Sequence, residues 1–244
     1  MNQRDDKMSD KIRIKSLLKG RNSTNINNLF KKIFNNYTKM ASKYIKKFDE
    51  YPFHGELQSH GFLIPAIDKS VHDVYFELPV LRNSGTTQEK YGRVDYWINY
   101  EKNDVMNFLV ELKQKEETYK SNKVKKITKD VWTKGREQIR AIKKQEIAQL
   151  CEGCDNAFCV TLMIIPLVKT SVIKDTLVKI KIDTKIIDNK LSNILTKLNP
   201  KPNWGAVWIN KNKKSSIEAD AKTGNYYRIF AVMMIVHLEE VKIP

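Results

Sequence analysis

The sequence predicts an α/β fold: a mixed central sheet flanked by helices. Three observations carry this expectation. Apolar residues recur at three and four from Ile26 to Phe48, two adjacent segments near residues 91 to 113 read as a hairpin, and Ala157 to Val168 is almost continuously apolar. The first pattern is that of an amphipathic helix, and the last is that of a strand covered on both faces. Helical and strand patterns then alternate to the end of the chain, as expected of a sheet with helices packed on it.

The elements follow in order. Residues 1 to 25 are charged and aperiodic, and read as a basic extension forming an arm or short helix, ahead of a single domain over 26 to 244. Ser23-Thr24-Asn25 is a capping region for the helix that follows. Phe53 to Ala66 predicts a second helix or irregular segment broken near Pro65, and Val74 to Val80 a strand in which Pro79 marks an edge or an end. Tyr91 to Tyr100 and Val105 to Lys113 form the hairpin. Lys115 to Lys126 is too hydrophilic for a core and predicts a mobile loop, Thr128 to Leu150 a helix, Ile186 to Leu198 another, and Trp204 to Ile209 and Tyr226 to Leu238 two more strands. Trp132, Trp204 and Trp208 are expected in the core.

Charge is distributed unevenly within a net +16. Residues 1 to 47 carry 13 Lys/Arg against 3 Asp/Glu, residues 48 to 112 carry 5 against 11, and residues 113 to 150 carry 12 against 5. An acidic block thus lies between basic flanks. Such flanks draw a polyanion and such a block draws a divalent cation. The three cysteines, Cys151, Cys154 and Cys159, do not make a disulfide framework in a chain of this length. Cys151 and Cys154 have metal-ligand spacing but lack a second pair, and Cys159 and His237 read as core fillers. No run reaches the roughly 18 apolar residues of a membrane span, and Met1 to Asp10 lacks a secretory apolar segment. A cytoplasmic location without membrane partners is expected.

The acidic block contains the chemistry-bearing pattern, Gly92-Arg93-Val94-Asp95 followed by Val110-Glu111-Leu112-Lys113. Glu111 and Lys113 are two apart and share a face of their strand. If Lys102-Asn103-Asp104 is the hairpin loop, Glu101 pairs with Val105 and Asp95 stands opposite Glu111. A loop one residue different, without a bulge, would put Asp95 on the other face. Two carboxylates and the carbonyl of Leu112, with a substrate phosphate, suffice to hold Mg²⁺ or Mn²⁺ for phosphodiester hydrolysis, and Lys113 sets a compact cation beside the attacking water.

These two segments resemble the PD-(D/E)xK nuclease superfamily, and the likeness in element order covers roughly residues 50 to 170. The resemblance implies a restriction-endonuclease-like fold and a Mg²⁺-dependent DNA endonuclease of restriction, anti-phage defence or repair that leaves 5′-phosphates. It assigns metal binding to Asp95 and Glu111 and assistance of the nucleophile to Lys113. Gln138, in Gly135-Arg136-Glu137-Gln138, is similar to a Gln of the RecB-type members, although Ile142 stands where they have Tyr. Glu56, in His54-Gly55-Glu56-Leu57, resembles an early-helix acid that points at the metal, and Glu77 on the Phe76 to Val80 segment is its rival. Lys120, Lys123, Lys134, Arg136 and Arg140 are expected to contact the nucleic acid, and a homodimer would cut both strands. RNA stays open as a substrate. The alternative is a non-catalytic nucleic-acid-binding module on the same fold.

Overall fold

The computed structural model describes residues 11–48, 52, 55–83, 90–209, 217–219 and 223–242. Its elements are β1 (Lys11–Ser16), α1 (Ser23–Phe48), α2 (Glu56–Asp68), β2 (Asp73–Arg82), β3 (Lys90–Glu101), β4 (Val105–Gln114), β5 (Glu117–Thr118), α3 (Lys126–Arg140), α4 (Lys144–Leu150), β6 (Asn156–Ser171), α5 (Lys174–Val178), α6 (Thr184–Lys197), β7 (Trp204–Ile209), β8 (Ile217–Ala219) and β9 (Tyr226–Val241). Among the described residues nine strands make one open mixed sheet in the order β1-β7-β9-β6-β4-β3-β2, with β5 added to β6 and β8 to β9. β4 and β5 pair parallel with β6, and every other pairing is antiparallel. A parallel neighbour requires a crossover, and α3 and α4 provide it between β4 and β6.

Two helical layers cover the sheet. On one face α1 and α2 insert Ile26, Phe30, Phe34 and Leu63 against Tyr96, Phe108, Val110, Leu112 and Trp204. On the other, α6 and α3 bring Leu191, Ile194 and Trp132 onto Met163, Val207 and Ile235, while α3 and α4 bring Ile139 and Ile147 onto Leu109 and Cys159. With both faces covered, β6 is buried from Ala157 to Val168, as its apolar run predicts. No helix among the described residues is long and apolar enough to cross a membrane.

Several elements differ from expectation. Residues 11–16 are neither arm nor helix but the edge strand β1, laid antiparallel on β7. Its period-two alternation, Ile12 and Ile14 between Lys11, Arg13 and Lys15, places isoleucines toward the α1 cluster. The helix predicted over 128 to 150 is two helices, because the end of β2 interrupts it: Lys143 N donates to Leu81 O at 3.0 Å, and Asn83 N to Ala141 O at 2.6 Å. Pro65 lies inside α2 rather than ending it. The 115 to 126 segment is not a polar loop throughout. Glu117 and Tyr119 are fully buried, the first neutralised by Lys190 and the second stacked on Phe230 with ring centroids 3.9 Å apart. β8 and α5 carry no period long enough to read from sequence, and Pro79 lies within β2, at the sheet edge, where a missing N–H is tolerated. Trp132, Trp204 and Trp208 are buried.

Candidate functional site at the β3–β4 divergence

The hairpin register places the acids. Glu101 pairs with Val105 and the ladder runs to Tyr96 with Val110, so the three-residue loop expected at Lys102 to Asp104 is the one formed. The next pair in that register would be Asp95 with Glu111. There the strands part: β4 continues along β6 to Gln114, whereas β3 continues along β2 to Lys90. Glu77 of β2 sits opposite Asp95 at φ +56°, and among the described residues it is the only non-glycine at positive φ. Such a backbone is uncommon for a side chain with a Cβ and costs about 1–3 kcal/mol. The irregularity coincides with a change of layer. Val74, Tyr96 and Ile98 pack in the α1 cluster, but Leu78, Val80 and Val94 pack in the α3–α4 cluster.

Divergence leaves main-chain groups of β4 facing a gap, and the predicted site residues fill it. Leu112 N donates to Asp95 Oδ2 at 2.6 Å. Leu112 O accepts from Lys113 Nζ at 2.7 Å, and the same ammonium lies 2.9 Å from Glu111 Oε1 and 3.8 Å from Glu56 Oε1. The second oxygen of Glu111 is 3.2 Å from Arg82 Nη2. Arg82 also donates to Arg93 O. Glu111 and Lys113 are both buried. Cations thus face both oxygens of the buried Glu111 carboxylate, and that pairing offsets the loss of water.

Asp95 is treated differently. Burial pushes its carboxyl up to about 7, and the neighbouring Glu111 charge adds to the effect against the opposing Leu112 N–H and Lys113. An acid whose folded pKa exceeds its unfolded one holds its proton more tightly when folded. Its contribution to stability is therefore present below pH ~4 and lost as pH rises to about 7. We expect Asp95→Asn to remove this dependence and raise stability at pH 8, without added metal, by on the order of 2 kcal/mol. Urea melts of both proteins at pH 5 and pH 8 measure it, and a difference that does not grow with pH would contradict it.

Two further groups lie close to these residues, His60 of α2 and Tyr96 of β3. His60 packs against Phe76 and places Nδ1 2.5 Å from Tyr96 Oη, and burial pulls its pKa below the usual histidine value. Burial likewise pushes the Tyr96 phenol up. Sequence reasoning missed both. His60 is four residues from Glu56 on one helix face, which is the signal that would have found it.

Gly135 is a third omission. A Cβ there would lie 2.9 Å from Lys113 Cγ and 3.1 Å from Thr161 Cγ2, so its lack of a side chain lets α3 lie directly over the lysine. Gly135→Ala should be net destabilising by about 1–2 kcal/mol, since overpacking outweighs the gain in helix propensity. It should also lower any cleavage by displacing Lys113. Denaturant unfolding measures the first effect, and an unchanged midpoint would contradict the contact.

The other expected site residues are scattered. Glu77 Oε2 is drawn to Arg93 Nη1 at 3.1 Å, so of the two rival acids Glu56 is the one beside Lys113. Gln138 lies on α3 with its Oε1 buried and without a hydrogen-bond partner. Arg136 and Arg140 are engaged by Glu239, with Arg136 Nη2 3.0 Å from Oε1 and Arg140 Nε 2.6 Å from Oε2. His237 is no core filler: its Nε2 is 2.8 Å from the same carboxylate. Burial would raise Glu239, but the hydrogen bonds from Arg140, His237 and Arg136 outweigh it and hold the carboxyl at about 2. Lys120, Lys123 and Lys134 are exposed. Cys151 and Cys159 are buried thiols, each pushed up to about 12, chiefly by burial. His54 lies outside the described residues.

A divalent cation can be weighed against this geometry. Among the described residues no three His, Cys, Asp or Glu side chains gather as a metal-holding group. The corner instead offers Asp95, Glu111 and the carbonyl of Leu112. Hard oxygens in that number suit Mg²⁺, which keeps several waters and takes few protein ligands. The ammonium that bridges Glu111 and Leu112 O shows that these two oxygens already converge on one cation. Comparison of the chain with protein-family models, with curated proteins and with solved structures finds no match.

Proposed function

We propose that the chain is a Mg²⁺-dependent nuclease of restriction-endonuclease-like fold that hydrolyses DNA to leave 5′-phosphates, in restriction, anti-phage defence or repair. One observation carries the reading. The strand divergence brings Asp95, Glu111, Leu112 O and Lys113 into a single corner, where burial raises the Asp95 carboxyl. Two carboxylates gathered in a buried corner mark a site that gains from a bound cation. The order α2, β2-β3-β4 meander, α3, parallel β6 adds support, because it is the element order of the resemblance.

In this reading Asp95, Glu111 and Leu112 O would hold the ion, and Glu56, 3.8 Å from Lys113 Nζ, would lie beside it. Bound there, the ion supplies a more acidic water and neutralises charge that develops on phosphoryl oxygens. Lys113 places a compact cation where the attacking water loses its proton, and Arg82 keeps Glu111 in place through its second oxygen. α3, closed down at Gly135, excludes bulk water from the lysine side. A homodimer in which each site cuts one strand would let the protein cut a duplex.

A second reading, a nucleic-acid-binding module without catalysis, is favoured by a different observation. Both oxygens of Glu111 already have cationic partners, and Asp95 already serves Leu112 N. The corner can therefore act as a plug for a split sheet. Supercoiled plasmid incubated with Mg²⁺, Mn²⁺ or EDTA separates the two. Nicking with metal and none in EDTA is expected, and retention of plasmid without nicking under all three conditions would favour the module.

A further inference from the structure

A cleft of about 570 Å³ opens beside the acidic corner, and Glu56 is not part of its lining. Arg82 joins the two, because it lines the cleft and also grips Glu111. Lys90, Arg93 and Lys134 add positive charge around it, with Glu137 as the opposing acid and Arg93 partly occupied by Glu77. Tyr91 also lines the cleft and is 77% exposed, an unusual position for so large an aromatic on a strand. Arg82 Nε and Gln138 Oε1, one donor and one acceptor of the same lining, are buried without hydrogen-bond partners. Gly92 shapes the arginine side, since a Cβ there would come within 2.7 Å of Arg82 Nε.

We infer that this cleft takes one unstacked nucleotide of the substrate strand, next to the scissile phosphate at the acidic corner, so that the preferred substrate contains a single-stranded segment. This rests on the nuclease reading of the acidic corner. The volume lies within the range of cavities that hold small ligands. A paired base would first have to leave its stack to enter, which costs least for a strand already single. Tyr91 offers the face on which a free base stacks, and Lys90 and Lys134 take the flanking phosphates. The unpartnered donor and acceptor are the groups that gain most from a polar base edge. Neither a lipid nor an acidic peptide would use a lone aromatic face beside a buried polar pair in this way.

The test is fluorescence anisotropy of labelled 12-nucleotide DNA and RNA strands and of a blunt DNA duplex, in EDTA so that nothing is cut. Tyr91→Ala should weaken binding of a single strand by about tenfold, while Tyr91→Trp restores it. Duplex affinity should be unchanged in both. Lys134→Ala should reduce the salt dependence of single-strand binding by about one unit of slope. A single strand of either sugar that shows this pattern supports the inference, and the comparison of the two identifies the sugar. Equal losses on strand and duplex, or no loss on either, would overturn it. Because binding is read without metal, this failure is distinct from a failure of cleavage.

Discussion

Glu111→Gln loses metal-dependent cleavage by at least about a hundredfold while nucleic-acid retention stays within about twofold. The substitution keeps the shape of the side chain and one carbonyl oxygen, so Lys113 retains an acceptor. It removes the negative charge that Arg82 Nη2 and Lys113 Nζ jointly face at 3.2 and 2.9 Å. With two cations now close together and one carboxylate gone, the corner no longer attracts a divalent ion. Glu111→Ala is a poorer probe: it leaves two buried cations without their shared partner, which costs on the order of 3–5 kcal/mol and confounds folding with activity. Single-turnover cleavage and filter binding on the same preparation measure both quantities. Cleavage by Glu111→Gln within a few-fold of the parent would remove the acidic corner from the chemistry.

The largest effect on stability is expected far from that corner, at Glu117→Ala. Glu117 and Lys190 form an ion pair at 2.7 Å with side chains 0% and 1% exposed. Lys190 Nζ also donates to Ser121 O and Lys123 O, and Glu117 Oε1 accepts from Lys125 N, so every part of the pair is used. Removing the acid strands a buried ammonium, and a loss of about 3–5 kcal/mol is expected. Glu117→Leu combined with Lys190→Met should recover part of it, but not all, because two carbonyls and one N–H remain unserved. A double-mutant cycle in urea gives the coupling directly. A single-variant loss under about 1 kcal/mol would show the pair to be solvated. The pair also pins the 117–125 turn and with it the start of α3, so the same variant should reduce cleavage wherever it lowers stability.

Much of the site was legible in the sequence because it depends on counting. The hairpin loop length follows from Lys102-Asn103-Asp104, and a period of two then predicts Asp95 opposite Glu111, although the ladder ends one pair short of it, at Tyr96 with Val110. The core of β6 and the buried face of α1 were equally legible, each carried by a long uniform pattern. What lay beyond reach was set by tertiary contacts. The end of β2 cuts one predicted helix into α3 and α4 through two main-chain hydrogen bonds, and no residue at 141 to 143 announces it. Glu117 reads as surface until Lys190, 73 positions away, neutralises it. Arg136 and Arg140 read as a phosphate-binding stripe until Glu239 is found across the sheet. The β1 strand is a different case, because its alternation was present and was obscured by the surrounding charge.

The central claim is that the two carboxylates of the divergence share a divalent ion beside Lys113. A crystal structure of the protein grown with Mn²⁺ at pH 8, read by its anomalous signal, tests it most directly. Above the pKa of Asp95, one manganese is expected between Asp95, Glu111 and the carbonyl of Leu112, with the Lys113 ammonium displaced from Leu112 O. A corner unchanged at pH 8, with Lys113 and Arg82 still holding both oxygens of Glu111 and no manganese beside Asp95, would contradict the account.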